Sequence, residues 1–273
     1  MTHTELLATA QRWLASGREV IDVSVLAHRG SVPREAGTHM LVSADAVAGT
    51  VGGGHLELKA MAAARDLLGS GRLDASPVDL RFPLGPALGQ CCGGDVTLRL
   101  QPLSVSGLAS WAVPAPRFHL QLFGAGHVGR AIVALLAGID CRVQWIDERE
   151  AEFPPLDAQQ PEPPHIERLC VDAVEAEVAS APAGARFLVL THSHDLDLRI
   201  TEVILKRPDF GWCGLIGSQT KRARFLARLA QRGVSEAALA RLVCPIGVPG
   251  ITGKEPEVIA VAVVAQLLSL PSR

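Results

Sequence analysis

Gly124, Gly126 and Gly129 fall in the spacing Gly-x-Gly-x-x-Gly, between the apolar run Leu120 to Phe123 and the helical pattern Ala131 to Leu136. In a strand, turn, helix setting the first glycine permits the tight turn. The second lets backbone N–H groups approach a phosphate with no Cβ in the way, and the third lets the helix pack closely on the strand. Free amides and the positive end of the helix dipole then favour an anion, and His127 stands at the start of that helix. A second strand candidate, Cys141 to Ile146, ends at Asp147, the place from which an acid reaches a ribose hydroxyl. The pattern predicts a Rossmann-like unit able to hold a nucleotide, although the same glycines can serve packing alone.

Four further groups of residues have types suited to chemistry. Gly49 to Gly54 is a second glycine turn leading into a helical run, with Gly52, Gly53 and Gly54 in succession and Glu57 in the first helical turn. It lacks the Gly-Lys-Ser/Thr ending of a P-loop, so a nucleoside triphosphate is not indicated. Three glycines are costly to order, which is understandable if the backbone must lie flat against something. Glu57 either complements the helix dipole or bonds a ligand's amino groups. Arg34 follows Pro33 in a loop, and a guanidinium there suits bidentate capture of an oxyanion, with a solvated surface arginine as the alternative. Cys91 and Cys92 are adjacent and flanked by glycines; a thiolate there would suit a transition metal. Thr191-His-Ser-His-Asp-Leu-Asp197 follows a buried-strand pattern. His192 and His194 fit helix capping and ligand hydrogen bonding better than metal ligation, since no partner motif is nearby. Finally, Ser218 is a candidate N-cap of a basic helix that carries Lys221 and Arg222 in its first turn; cations there oppose the dipole unless an anion is bound.

These residues need two cores to carry them, and 273 residues suffice for two. The capping box Thr2-x-x-Glu5 opens an amphipathic helix through Leu14. Strand patterns follow at Ile21 to Val25, His39 to Val42, Pro77 to Phe82 and Val96 to Leu100. Residues 102–117 have linker composition. The spacing therefore predicts an α/β chain with an N-terminal α/β domain over residues 1–115, built on a mixed sheet. A C-terminal Rossmann-like doubly wound parallel sheet is expected over residues 116–273. Strand patterns in that half lie at Ala185 to Leu190, Trp212 to Ile216 and Leu242 to Gly247. Glu255 to Leu268 reads as an apolar terminal helix buried on both sides, against the sheet or in a dimer contact.

A formal net charge of −2 gives no reason to expect a nucleic-acid or membrane-surface partner. No apolar run reaches the roughly 18 to 20 residues of a bilayer span, and Met1 to Glu5 is polar, so a cytoplasmic location is expected. The cysteines at 91, 92, 141, 170, 213 and 244 form no Cys-x-x-Cys pair and are expected to be reduced.

Taken together the motifs resemble the XdhC/CoxI family, the maturation factors of xanthine dehydrogenase and related molybdenum hydroxylases. The stretches that carry the resemblance run in order through both halves. They are Gly30-Ser-Val-Pro-Arg34, Gly49-Thr-Val-Gly-Gly-Gly54 with Glu57, Gln90-Cys-Cys-Gly-Gly94, Phe123-Gly-Ala-Gly-His-Val-Gly129, Thr191-His-Ser-His194, Leu215-Ile-Gly-Ser218 with Lys221, and Cys244-Pro-Ile-Gly247. The resemblance implies a maturation factor rather than a catalyst in its own right. It would bind the molybdenum cofactor (molybdopterin), assist its sulfuration beside a cysteine desulfurase, and insert it into an apo xanthine dehydrogenase catalytic subunit. It implies Cys92 as the cofactor-binding cysteine and candidate molybdenum contact, with Cys91 second. A homodimer is expected. The alternative is an NAD(P)-dependent oxidoreductase using Gly124, Gly126, Gly129 and Asp147. After the proline motif the chain departs from the family's usual Gly-Leu-Asp/Asn-Ile-Gly and reads Gly247-Val-Pro-Gly-Ile-Thr-Gly253.

Overall fold

The computed structural model describes residues 1–71, 76–84, 94–112, 115–156 and 162–271. The chain divides into two compact units, His3–Pro114 and Ala115–Arg273.

In the first unit the elements are α1 (His3–Ala15), β1 (Ile21–Arg29), β2 (His39–Val42), β3 (Val47–Gly49), α2 (Gly54–Gly69), β4 (Val78–Pro83), β5 (Asp95–Pro102) and α3 (Val105–Ala109). The strands form one sheet in the order β3-β2-β1-β5-β4. Period-two alternation turns Val23, Val25, Val96, Leu98 and Leu100 to a core closed by Leu56, Ala60 and Ala64 of α2. On the other face cross-strand pairs take over: Arg99 bonds Asp79 and Arg81 bonds Asp95, each at 2.8 Å. The sheet was expected to be mixed, and this is corrected: each of its pairings is antiparallel. The cause is connectivity, because β1-β2-β3 is a meander and β4-β5 a hairpin, and α2 returns the chain to the far edge. The linker composition of residues 102–117 also concealed α3, which starts where Ser104 Oγ accepts from Gly107 N–H.

The second unit contains β6 (His119–Phe123), α4 (His127–Leu136), β7 (Arg142–Asp147), β8 (Ile166–Cys170), β9 (Arg186–Val189), α5 (His194–Lys206), β10 (Trp212–Leu215), α6 (Gln219–Gln231), α7 (Glu236–Ala240), β11 (Leu242–Val243) and α8 (Pro256–Ser269). All pairings are parallel and the strand order is β11-β10-β9-β6-β7-β8. Counted within the unit this is 3-2-1-4-5-6, the doubly wound Rossmann order, and its switch point falls between β6 and β9. Ile132, Leu136, Val263 and Leu267 of α4 and α8 cover one face. Leu198, Ile204, Phe225 and Leu229 of α5 and α6 cover the other. Within its unit α8 leaves Val261 50% and Leu268 44% exposed. Among the described residues no helix is long and apolar enough to cross a membrane.

Candidate functional site

The turn from β6 to α4 lies at the carboxyl end of the sheet, where ligands of doubly wound folds bind. Its three glycines have different causes. A Cβ on Gly124, which sits at φ +126°, would lie 2.4 Å from the Leu190 carbonyl oxygen, and one on Gly129 would lie 2.1 Å from that of Gly124. Close packing of strand, turn and helix therefore requires both. Trp145 adds a brace from its indole N–H to the Gly124 carbonyl at 3.0 Å. Gly126 is otherwise: its φ is −68° and no atom lies within 4 Å of a Cβ built there. The chain's own packing does not account for a missing side chain at this position. Gly126 is also the N-cap of α4 and supplies no side-chain acceptor, so the helix start is a cradle that a phosphate fits. His127 is exposed beside it.

The ribose end is different. Asp147 Oδ2 accepts from Ala125 N–H at 2.7 Å, and Arg149 donates through Nε and Nη2 to the two carboxylate oxygens at 3.0 Å each. The backbone N–H of Arg149 adds a fourth bond, to Oδ1, at 3.0 Å. Burial by itself would raise the carboxyl's pKa, but the Arg149 fork and these backbone donors hold it below its ordinary value. Arg149 also reaches Glu152, which in turn pairs with Arg130 at 2.9 Å. A phosphate thus fits this turn, while a ribose diol does not fit Asp147 as it stands.

At the ends of β9 and β10 a second polar group is assembled. Asp197, fully buried, accepts from Thr191 through its N–H at 3.0 Å and its hydroxyl at 2.7 Å, and pairs with Lys221 Nζ at 2.6 Å. Lys221 also donates to the Ile216 carbonyl at 2.8 Å. This explains a lysine in the first turn of α6: its charge is answered by Asp197. Ser218 caps that helix through Lys221 N–H, as expected. His192 Nε2 lies 3.6 Å from Glu148, and His194 is exposed at the start of α5, whose cap is Ser193. Cys244 is buried nearby, and burial pushes its thiol pKa up. Among the described residues no group of three or more His, Cys, Asp or Glu side chains is placed to hold a metal ion.

In the first unit three stretches distant in sequence meet. A Cβ on Gly52, at φ +135°, would lie 2.3 Å from the Pro33 ring, and one on Gly94 would lie 2.4 Å from the Ser31 carbonyl oxygen. Arg34, next to Pro33, is exposed. Glu57 accepts from the Thr50 hydroxyl at 2.5 Å and from Gly53 N–H at 3.1 Å, so it braces the turn formed by Gly52, Gly53 and Gly54. Leu84 N–H donates to the Gly94 carbonyl at 2.7 Å. Cys91 and Cys92, between them in sequence, lie outside the described residues. Sequence reasoning overlooked Arg149 and the pairing of Asp197 with Lys221. The first follows Asp147 by two residues and the second links separate elements, so only the former had a local signal.

Fold and site define a two-unit α/β protein whose second unit is a Rossmann domain with an anion-suited helix start. Residues 120–267 match the family model described as the XdhC Rossmann domain, and residues 13–75 match that of the XdhC and CoxI family. The chain belongs to this family. It is 33% identical over 252 residues to the uncharacterized protein YqeB of Escherichia coli (strain K12), a match that covers 89% of this chain. The chain spans only 42% of that relative's length. Its fold is similar to a crystal structure from Bacillus halodurans described as a xanthine dehydrogenase, with a TM-score of 0.74 and 19% identity. That match covers 99% of this chain and 96% of the other.

Proposed function

We propose that this protein is an accessory factor in the maturation of xanthine dehydrogenase or a related molybdenum hydroxylase. It binds the molybdenum cofactor as cargo, holds it while a cysteine desulfurase supplies the sulfur that replaces an oxo ligand, and inserts it into the apo catalytic subunit. Family membership supports the reading. The observation that carries it is the meeting of Pro33 with Gly52 and of Gly94 with Ser31. This gathers the Gly30 to Arg34 and Gly49 to Gly54 motifs beside Gly94, which follows the Cys91-Cys92 stretch in sequence.

In this reading the exposed Arg34 guanidinium attracts the pterin's phosphate, and the Gly52 to Gly54 backbone lets the planar cargo approach. The Cys92 thiolate is the soft ligand for molybdenum, with Cys91 second. The factor works in the cytoplasm, and as a homodimer for which the outward Val261 and Leu268 of α8 are the candidate contact. The second reading, a nicotinamide-dependent oxidoreductase, draws on the Gly124 to Gly129 turn. Engagement of Asp147 by Arg149 speaks against it.

The test is molybdenum and pterin analysis of protein purified from a host that makes the cofactor. Wild-type protein is expected to carry pterin, and Cys92→Ala to carry several-fold less with an unchanged circular dichroism spectrum. Pterin-free wild-type protein, or unchanged loading of the variant, overturns the proposal or its thiol step respectively.

A further inference from the structure

We infer that Arg149 keeps the ribose end of the Rossmann crevice closed, so that the unit admits a phosphate at α4 while refusing nicotinamide dinucleotides, and that removing Arg149 opens it to NADH. The inference does not depend on the cofactor-maturation reading.

A dinucleotide on this fold places its pyrophosphate on the first helix and its adenosine ribose against the acid ending the second strand. That acid must accept from two hydroxyls, and a carboxylate has about four lone-pair sites. Asp147 has all of them engaged: Ala125 N–H and Arg149 Nη2 on one oxygen, Arg149 N–H and Nε on the other. Its side chain is only 3% exposed. A ribose would have to displace a bidentate guanidinium, exchanging an ion pair made by a charged fork for bonds from uncharged hydroxyl donors.

Nor is Arg149 free to swing aside. Its Nη1 lies 3.3 Å from Glu152 Oε1. Arg130 holds the other oxygen of Glu152 at 2.9 Å and donates from Nε to the Ala125 carbonyl of the glycine turn at 2.9 Å. The latch is therefore tied at both ends to the turn that it guards.

Arg149 is a poor receptor for a 2′-phosphate as well. Asp147 and Glu152 already share its charge, and Glu148 stands close enough to act on it. Residues 147–152 carry four carboxylates in sequence, Asp147, Glu148, Glu150 and Glu152, against Arg149, with Arg130 reaching Glu152. An added phosphate dianion meets net repulsion. At Gly126 the turn stays open: a Cβ built there would meet no atom within 4 Å. An open phosphate cradle beside a self-occupied ribose acceptor discriminates by excluding the diol, a specificity set by what is refused.

The full chain is titrated with NADH and with NADPH, following energy transfer from tryptophan to the reduced nicotinamide; Trp145 lies under the Gly124 carbonyl. Arg149→Ala is expected to bind NADH at least about tenfold more tightly than wild type, a change of about 1.4 kcal/mol. NADPH is not expected to gain. In the Asp147→Asn/Arg149→Ala double variant the gain disappears, which assigns it to the freed carboxylate. Arg149→Gln, which keeps the side-chain length, shows the same gain if the alanine variant fails to fold. Micromolar NADH or NADPH binding by wild type that weakens in the Arg149 variants overturns the inference. So does the absence of any gain in NADH binding in both single variants. Neither result alters the pterin-loading test.

Discussion

Asp197→Ala should strongly destabilise the second unit. Asp197 is completely buried and its partner Lys221 is 11% exposed in its side chain. At 2.6 Å and an effective dielectric of about 20, the gross attraction is about 6 kcal/mol. Desolvation offsets much of that, but truncation of one partner leaves the other charge uncompensated, at a cost of about 3–5 kcal/mol. Thr191 N–H and hydroxyl lose their acceptor too. Each buried donor left unsatisfied costs about 1–3 kcal/mol, less where local rearrangement or water recovers a bond. We expect a loss of about 4 kcal/mol for alanine. Asparagine keeps an acceptor for Thr191 but leaves the Lys221 charge uncompensated, so it should still cost about 3 kcal/mol or more. Asp197→Leu/Lys221→Met removes both charges and should recover a good part of the loss, as replaced buried pairs do. Two units need not unfold together, so the assay is urea-dependent hydrogen exchange read on peptides from β9, α5 and α6. A loss below about 1 kcal/mol for alanine, or a double variant as unstable as the sum of its parts, refutes the reasoning.

Gly129→Ala drives a Cβ to within 2.1 Å of the Gly124 carbonyl oxygen, a backbone obstruction that no rotamer relieves, and should cost about 2 kcal/mol or more in thermal melts. Gly126→Ala meets open space at an ordinary φ and should leave the melt within about 0.5 kcal/mol while weakening phosphate binding; equal melting of the two variants refutes the distinction. Cys141 and Cys213 are buried with thiols pushed up to about 12, chiefly by burial. Iodoacetamide at neutral pH should therefore leave both unmodified while exposed Cys170 reacts slowly, its thiol also raised; rapid labelling of Cys213 on peptide mapping contradicts this account.

The fold was legible where pattern and element coincide. The run Leu120 to Phe123, the glycine turn and Asp147 mark a βαβ unit in local sequence, and the family match over residues 120–267 agrees. β8 was not legible, since Ile166-Glu-Arg-Leu-Cys170 lacks a continuous apolar run: as an edge strand it packs only in part. The parity of the first sheet was hidden because strand direction depends on which edge α2 returns to, a long-range matter. Among the site residues, Ser218 was readable as a cap because capping is local. The role of Asp197 was not, because its partner lies on another helix 24 residues on.

The ambiguity of Glu57 and Asp147 has a common physical cause. A glycine turn offers N–H donors without side chains to answer them, and something must accept those bonds. In the first unit Glu57 takes Gly53 N–H and the Thr50 hydroxyl; in the second Asp147 takes Ala125 N–H. An acid close to a glycine turn can therefore serve as the turn's own brace or as the ligand's acceptor, and sequence spacing is the same for both. Counting the acceptor sites separates them. Among the described residues Glu57 Oε2 carries two donors and its other oxygen none, whereas Asp147 is filled by Ala125 N–H and Arg149. Of the two acids, Glu57 is thus the one with an oxygen left to accept from a bound group while still holding its turn.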